Sequence, residues 1–160
     1  MILYHGSTME VSQPRILKSE IGRDFAFSFY TTDIQAQAER WARRRAMIES
    51  RRTKTEVQPI VSVYEWDEDA AKQLQFLQFD GASMEWLELV VTCRSQTDYS
   101  HGYDIVEGKI ANDNVGETVS YVMQGIMRKE DAIERLRFER INNQIAFCTE
   151  VALRTLHFQN

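Results

Sequence analysis

The segment FAFSFYTTDIQAQAERWARRRAMI, running from Phe25 to Ile48, changes its hydrophobic period part-way along. From Phe25 to Thr32 small and aromatic residues alternate, the period of two that sends successive side chains to opposite faces of a strand. From Ile34 to Ile48 the apolar positions Ala36, Ala38, Trp41, Ala42 and Met47 recur at helical spacing, and Asp33 stands where an N-cap belongs. A strand running into an amphipathic helix, with arginines on the helix's outer face, is therefore predicted. Upstream, Ile2 to His5 reads as a short apolar strand closed by a turn at Gly6-Ser7. Downstream, Pro59 interrupts the chain before Ile60 to Trp66, which alternates from Val61 and is the strongest strand pattern in the sequence.

Further along, the pattern predicts a short helix over 67–74, an extended piece over 76–79, and a helix from Ser83 to Cys93 with Trp86, Leu87, Leu89 and Val90 inward. A strand over 103–106 and helices over 114–127 and 129–141 follow, the second helix packing through Ala132, Ile133, Leu136 and Phe138. Ile145 to Phe147 returns as a strand before a last helical turn over 150–156. Helices are interspersed with strands that need not be parallel, which makes the fold class α+β. No repeat, low-complexity tract or linker divides the chain, and 160 residues suit a single domain spanning 1–160.

The sequence is 43% hydrophobic with 17 Phe, Tyr and Trp residues, enough apolar surface to exclude a mainly disordered chain. No run of about 18 uncharged apolar residues is present, and Met1 to His5 lacks the basic flank of a signal peptide, so a cytoplasmic protein without membrane contact is expected. Cys93 and Cys148 belong to no Cys-x-x-Cys or Cys/His cluster, which argues against a disulfide framework or structural zinc and for buried apolar fillers. The net charge of −5 is unevenly spread. Residues 1–54 carry 10 Lys/Arg against 6 Asp/Glu, and residues 55–160 carry 9 against 18. Seven of the positive charges lie between Arg40 and Lys54, a density that either forms a solvated helix face or attracts the phosphates of a dinucleotide or nucleic acid.

No metal-ligand spacing, phosphate-binding glycine loop, dinucleotide fingerprint or Gly-x-Ser-x-Gly elbow is present. What remains is a sparse set of polar residues at strand ends: His5-Gly6-Ser7, Tyr30-Thr31-Thr32 and Asn143-Gln144. Each alone is equally readable as local hydrogen bonding or rim packing.

Taken together these pieces resemble a known family. Leu3-Tyr4-His5-Gly6-Ser7, then Asp24 to Thr32, then Gln35 to Ala42 with its Gln-Ala-x-x-Trp-Ala spacing from Gln37, resemble the bacterial DUF3990 family. Tyr103 to Gly108 with Ala111-Asn112-Asp113, and Gln144 to Leu153, resemble its remaining landmarks in the same order. That family is similar in turn to the ADP-ribosyltransferases of the His-Tyr-Glu type, the group containing diphtheria toxin and the poly(ADP-ribose) polymerases. The resemblance implies a split β-sheet with flanking helices and NAD, as substrate, in a cleft between the sheet halves. His5 would donate to a hydroxyl of the adenine-side ribose, the Gly6 backbone and Ser7 hydroxyl would hold the nicotinamide carboxamide, and Tyr30, with Thr31 beside it, would stack on the nicotinamide ring. It also implies a toxin of a bacterial toxin–antitoxin or anti-phage system, with a protein or nucleic-acid acceptor and an antitoxin as partners.

The third position departs from that pattern. Where the transferases open the last core strand with Glu, this chain has Gln144, which can hold a ribose hydroxyl but places no negative charge opposite a developing cation. Transfer of a single ADP-ribose or NAD hydrolysis fits better than chain elongation. Glu150 is a rival for the acidic role, with capping of the last helix as its other reading. Ala26 and Ser28 stand where the family has glycines. The rival readings of the whole chain are a catalytically silent NAD or ADP-ribose binding module and a nucleic-acid interaction protein.

Overall fold

A computed structural model describes residues 1–18, 23–109, 113–137 and 142–160. The expectations for Ala111, Asn112, Phe138 and the end of the helix at Ile141 lie outside those residues. Among the described residues the chain forms two sheets and six helices of mixed α and β content. Three antiparallel strands make the first sheet, in the order β1 (Ile2–Ser7), β3 (Ile60–Trp66), β7 (Leu156–Phe158). The second has four, in the order β2 (Phe29–Thr31), β6 (Gln144–Phe147), β5 (Ile105–Gly108), β4 (Phe76–Gln78), and only β4 and β5 are parallel.

Strand alternation sorts the side chains into two cores. Leu3, Tyr64, Trp66 and Leu156 of the first sheet meet Phe29, Ile105, Ile145 and Phe147 of the second. The opposite face of the second sheet presents Val106 and Ala146, with Tyr30 at the margin, to α3 (Met84–Ser95), α4 (Asp113–Met123) and α5 (Lys129–Leu136) through Trp86, Leu87, Val90, Val119 and Leu136. The two short helices are α2 (Glu68–Ala71), capped by Asp67, and α6 (Glu150–Leu153), capped by Thr149.

Helix α1 (Gln35–Thr53) lies on β1 with Gln37, Ala38, Ala42 and Ala46 buried. The apolar stripe is rotated from its sequence reading, because Ala36 and Met47 are exposed. Small residues on both partners permit the contact. A Cβ built on Gly6 would sit 2.0 Å from the Ala38 carbonyl oxygen and 2.9 Å from the Ala42 nitrogen, so only glycine allows strand and helix backbones this close. Asp33 is not the cap of α1. Ile34 is, with no side-chain bond of its own, and its N–H is taken by the Thr32 hydroxyl at 3.1 Å.

The strand expected over 25–32 shortens to 29–31, because Ala26 adopts φ 65°, which turns the chain out of the extended region. A last strand, β7, replaces the end of the terminal helical turn expected over 150–156. No helix among the described residues is long and apolar enough to cross a membrane.

Candidate functional site

The two sheets touch along their first strands at one rung. Tyr4 N–H donates to the Thr32 carbonyl at 2.8 Å and Thr32 N–H donates to the Tyr4 carbonyl at 3.0 Å. Backbone groups of successive strand residues point to alternate sides, so the backbone of His5 faces Ser62 of β3 and that of Gly6 turns back toward β2. By the same alternation Tyr30 faces β1, since Thr31 pairs with Ile145 of β6. A second rung between Gly6 and Tyr30 would continue the ladder, and it is not made. The Tyr30 carbonyl instead accepts from His5 Nδ1–H at 2.7 Å. The strands therefore part at Gly6, whose N–H and C=O face the opening.

His5 is fixed on two sides. Its ring stacks on Phe29 with centroids 4.4 Å apart and 30° between planes. Burial lowers its pKa below the usual 6.5, opposed by the bond to Tyr30 and assisted by the positive charge of Arg45 on α1. The ring is thus neutral near pH 7. Because a carbonyl only accepts, Nδ1 carries the proton and Nε2 carries a lone pair. This tautomer leaves Nε2 able to accept a hydrogen bond, where the resemblance implied a donor.

Tyr30 is held at its far end. Its hydroxyl accepts from Phe25 N–H at 3.2 Å and donates to the Ala26 carbonyl, and burial, with Asp24 nearby, raises its pKa. Phenol ionisation is excluded as chemistry, while the ring is rigidly aimed. Thr31 stands apart from the other named residues: it is fully buried and its hydroxyl donates to the Ile145 carbonyl at 3.0 Å.

Two side chains remain without partners among the described residues. Gln144 is 6% exposed and Ser7 is 9% exposed, yet neither the Gln144 amide nor the Ser7 hydroxyl makes a hydrogen bond. Among the described residues no side-chain polar atom sealed from solvent lacks a partner, so these groups border accessible space. Gln144 lies opposite Gly108 on β6 and, two residues before Ala146, shares its sheet face with Tyr30, whose register partner is Ala146.

The start of β6 is tied to α1 by Gln37, to which the sequence reading gave no role of its own. The Gln37 side chain donates to the Asn143 carbonyl at 2.6 Å and accepts from Asn143 N–H at 3.1 Å. Its one signal was a polar residue between two alanines of an apolar stripe. The Asn143 amide in turn donates to Glu107 at 2.9 Å and Asp33 at 3.2 Å, and Arg40 donates to Asn142 at 3.2 Å. Glu150 begins α6 after the Thr149 cap, away from the opening of β6.

Among the described residues no three His, Cys, Asp or Glu side chains are placed to hold a metal ion. A separate, open concavity of about 480 Å³ is lined by Trp66, Asp67, Glu68, Lys72 and His157 and by none of the residues above. One family model, that of a protein of unknown function termed DUF3990, matches residues 1–158. The chain belongs to the DUF3990 family. No curated protein and no solved structure matches it. The DUF3990 match contains β1, β2 and β6 entire.

Proposed function

We propose that this DUF3990 protein binds NAD in the opening between β1 and β2 and is a mono-ADP-ribosyltransferase of the His-Tyr-Glu kind, with Gln144 in the third position. The observation that carries this reading is the set of polar groups without partners among the described residues: the Gly6 N–H and C=O, His5 Nε2 and the Ser7 hydroxyl where the strands part, and the nearly buried Gln144 amide beside the closed rung, on the sheet face of Tyr30. Buried polar groups are ordinarily paired, and a cluster with spare capacity beside accessible space suits a polar ligand.

The chemistry matches NAD part by part. A carboxamide presents one acceptor and two donors, which the N–H, C=O and adjacent hydroxyl of Gly6-Ser7 complement. The Tyr30 ring suits a flat cationic nicotinamide. His5 Nε2 accepts from a ribose hydroxyl, and the Gln144 amide contacts the hydroxyls of the nicotinamide ribose. In the reaction the nicotinamide–ribose bond breaks with its electron pair going to nicotinamide. A nucleophile of the acceptor then bonds to the ribose carbon and gives up its proton. Gln144 places no charge opposite the developing cation, so turnover is slow and limited to single transfers. Two sheets joined at one rung fit the split sheet of such transferases, and a bacterial toxin restrained by an antitoxin is the role that the resemblance supports.

Incubation with NAD, with and without cell lysate as acceptor source, tests this: released nicotinamide supports it. The neutral amide at 144 favours one second reading, a silent module. In that case NAD binds and is not consumed.

A further inference from the structure

The ladder between β2 and β6 continues one rung beyond the end of β2. Thr31 pairs with Ile145, and Thr32 turns its N–H and C=O to Tyr4 of β1. Backbone groups face a given neighbour at every second residue, so the next rung on β6 falls at Asn143, opposite Asp33. There the chain has already left the strand, and Ile34 caps α1. The side-chain amide of Gln37, in the first turn of α1, makes that rung instead. It donates to the Asn143 carbonyl at 2.6 Å and accepts from the Asn143 N–H at 3.1 Å. Gln37 is 1% exposed, so its amide is satisfied by Asn143 rather than by water. Gln144 stands between this side-chain rung and the backbone rung at Ile145. Its own side chain has no partner among the described residues, so its direction is set by its backbone. The Asn143 side chain leaves by the opposite sheet face, to Asp33 and Glu107, and does not steer it.

We propose that Gln37 is the positioning residue for the side chain at 144: by completing the β2–β6 ladder at Asn143 it keeps residues 143 and 144 extended and aims Gln144 along the sheet face that carries Tyr30. The proposal rests on the NAD reading for what Gln144 touches, but the hold on the backbone is separable from it. A primary amide offers a donor and an acceptor side by side, as a strand residue does, and so satisfies both groups of Asn143 at once. Without that amide the two main-chain groups lose their partners. A buried N–H or C=O left unpaired is costly, so the start of β6 shifts to reach water, and the side chain at 144 shifts with it.

Two measurements on wild type, Gln37→Met, Gln144→Ala and the double variant test the proposal. Without ligand, nitrogen NMR relaxation should show residues 143 and 144 more mobile in Gln37→Met than in wild type, with residues 145–147 unchanged. With NAD, isothermal titration well below Tm should show Gln37→Met weakening binding about fivefold, the effect of losing one neutral hydrogen bond, where Gln144 is present. In the Gln144→Ala background the same substitution should change nothing. A role confined to stability lowers Tm but leaves the affinity of the folded protein alone, or lowers it equally in both backgrounds. Either of those results, or unaltered mobility at 143 and 144, overturns the proposal. If residues 143 and 144 loosen in a chain that does not bind NAD, the positioning role stands and the NAD reading falls. If NAD binds wild type and Gln37→Met alike, the NAD reading stands and this inference falls. Should Gln37→Met fail to fold, Gln37→Glu, of the same shape but with no donor for the Asn143 carbonyl when charged, is read by the same two measurements.

Discussion

Replacing Gly6 by alanine adds one methyl group at the tightest contact between α1 and β1. The new Cβ would lie 2.0 Å from the Ala38 carbonyl oxygen and 2.9 Å from the Ala42 nitrogen. Both obstacles are helix backbone, so no side-chain rotation relieves the clash, and the helix must retreat by about 1 Å or more to restore ordinary packing distances. The backbone conformation at Gly6 is not in the left-handed region, so the effect is steric alone. Overpacking a close-packed interface costs about 1–3 kcal/mol and occasionally more. With backbone on both sides the upper end applies, about 3 kcal/mol, or a fall in Tm of about 6–12 °C for a domain of this size. The retreat also stretches the two bonds from Gln37 to Asn143, 2.6 and 3.1 Å long, and so loosens the start of β6. Thermal and urea unfolding measure the loss. Ala38→Gly should give no rescue, because the obstructing atom belongs to the main chain. A Gly6→Ala protein within about 0.5 kcal/mol of wild type, the range of ordinary surface substitutions, or a rescue by Ala38→Gly, refutes the close-approach argument.

Tyr30→Phe removes a hydroxyl that bonds both Phe25 and Ala26 and should cost about 1–3 kcal/mol by urea unfolding while keeping the ring that stacks on a ligand; an unchanged midpoint contradicts the pinned geometry. Stability should fall on acidification below about pH 6.5, because burial lowers the pKa of His5 and His101 in the folded chain, so the unfolded chain binds more protons. His101 accepts from Tyr103 N–H and donates to the Phe25 carbonyl, an arrangement only the neutral ring satisfies, and His101→Asn should flatten the pH dependence of Tm between pH 5 and pH 7 (roughly the histidine range).

Local pattern made some elements legible and not others. Ile60 to Trp66 was readable to the residue, because a β-prone run that follows Pro59 and alternates from Val61 needs no distant partner to reveal it. β7 was not, since three residues after a helical turn become a strand only by pairing with Tyr64 to Trp66. Asp33 looked like a cap, but the Thr32 hydroxyl takes the Ile34 amide and Asp33 receives Asn143 instead, a partner 110 residues away. At the site, residue types at strand ends singled out His5, Tyr30 and Gln144. The proton on His5 Nδ1, the hold of Gln37 on Asn143 and the unpaired Gly6 backbone depend on how three strands and a helix meet. A sequence carries that information only through the fold.

Under the proposed function the opening at Gly6 holds NAD and the neutral side chain at position 144 limits its cleavage. Nicotinamide released from NAD by wild type and by Gln144→Glu, both checked for an unchanged fold, is the direct measurement. Both proteins are expected to bind NAD, and Gln144→Glu to release nicotinamide faster, because a carboxylate then stands opposite the cation that develops as the bond breaks. Folded proteins that neither bind NAD nor release nicotinamide, with or without lysate, contradict it.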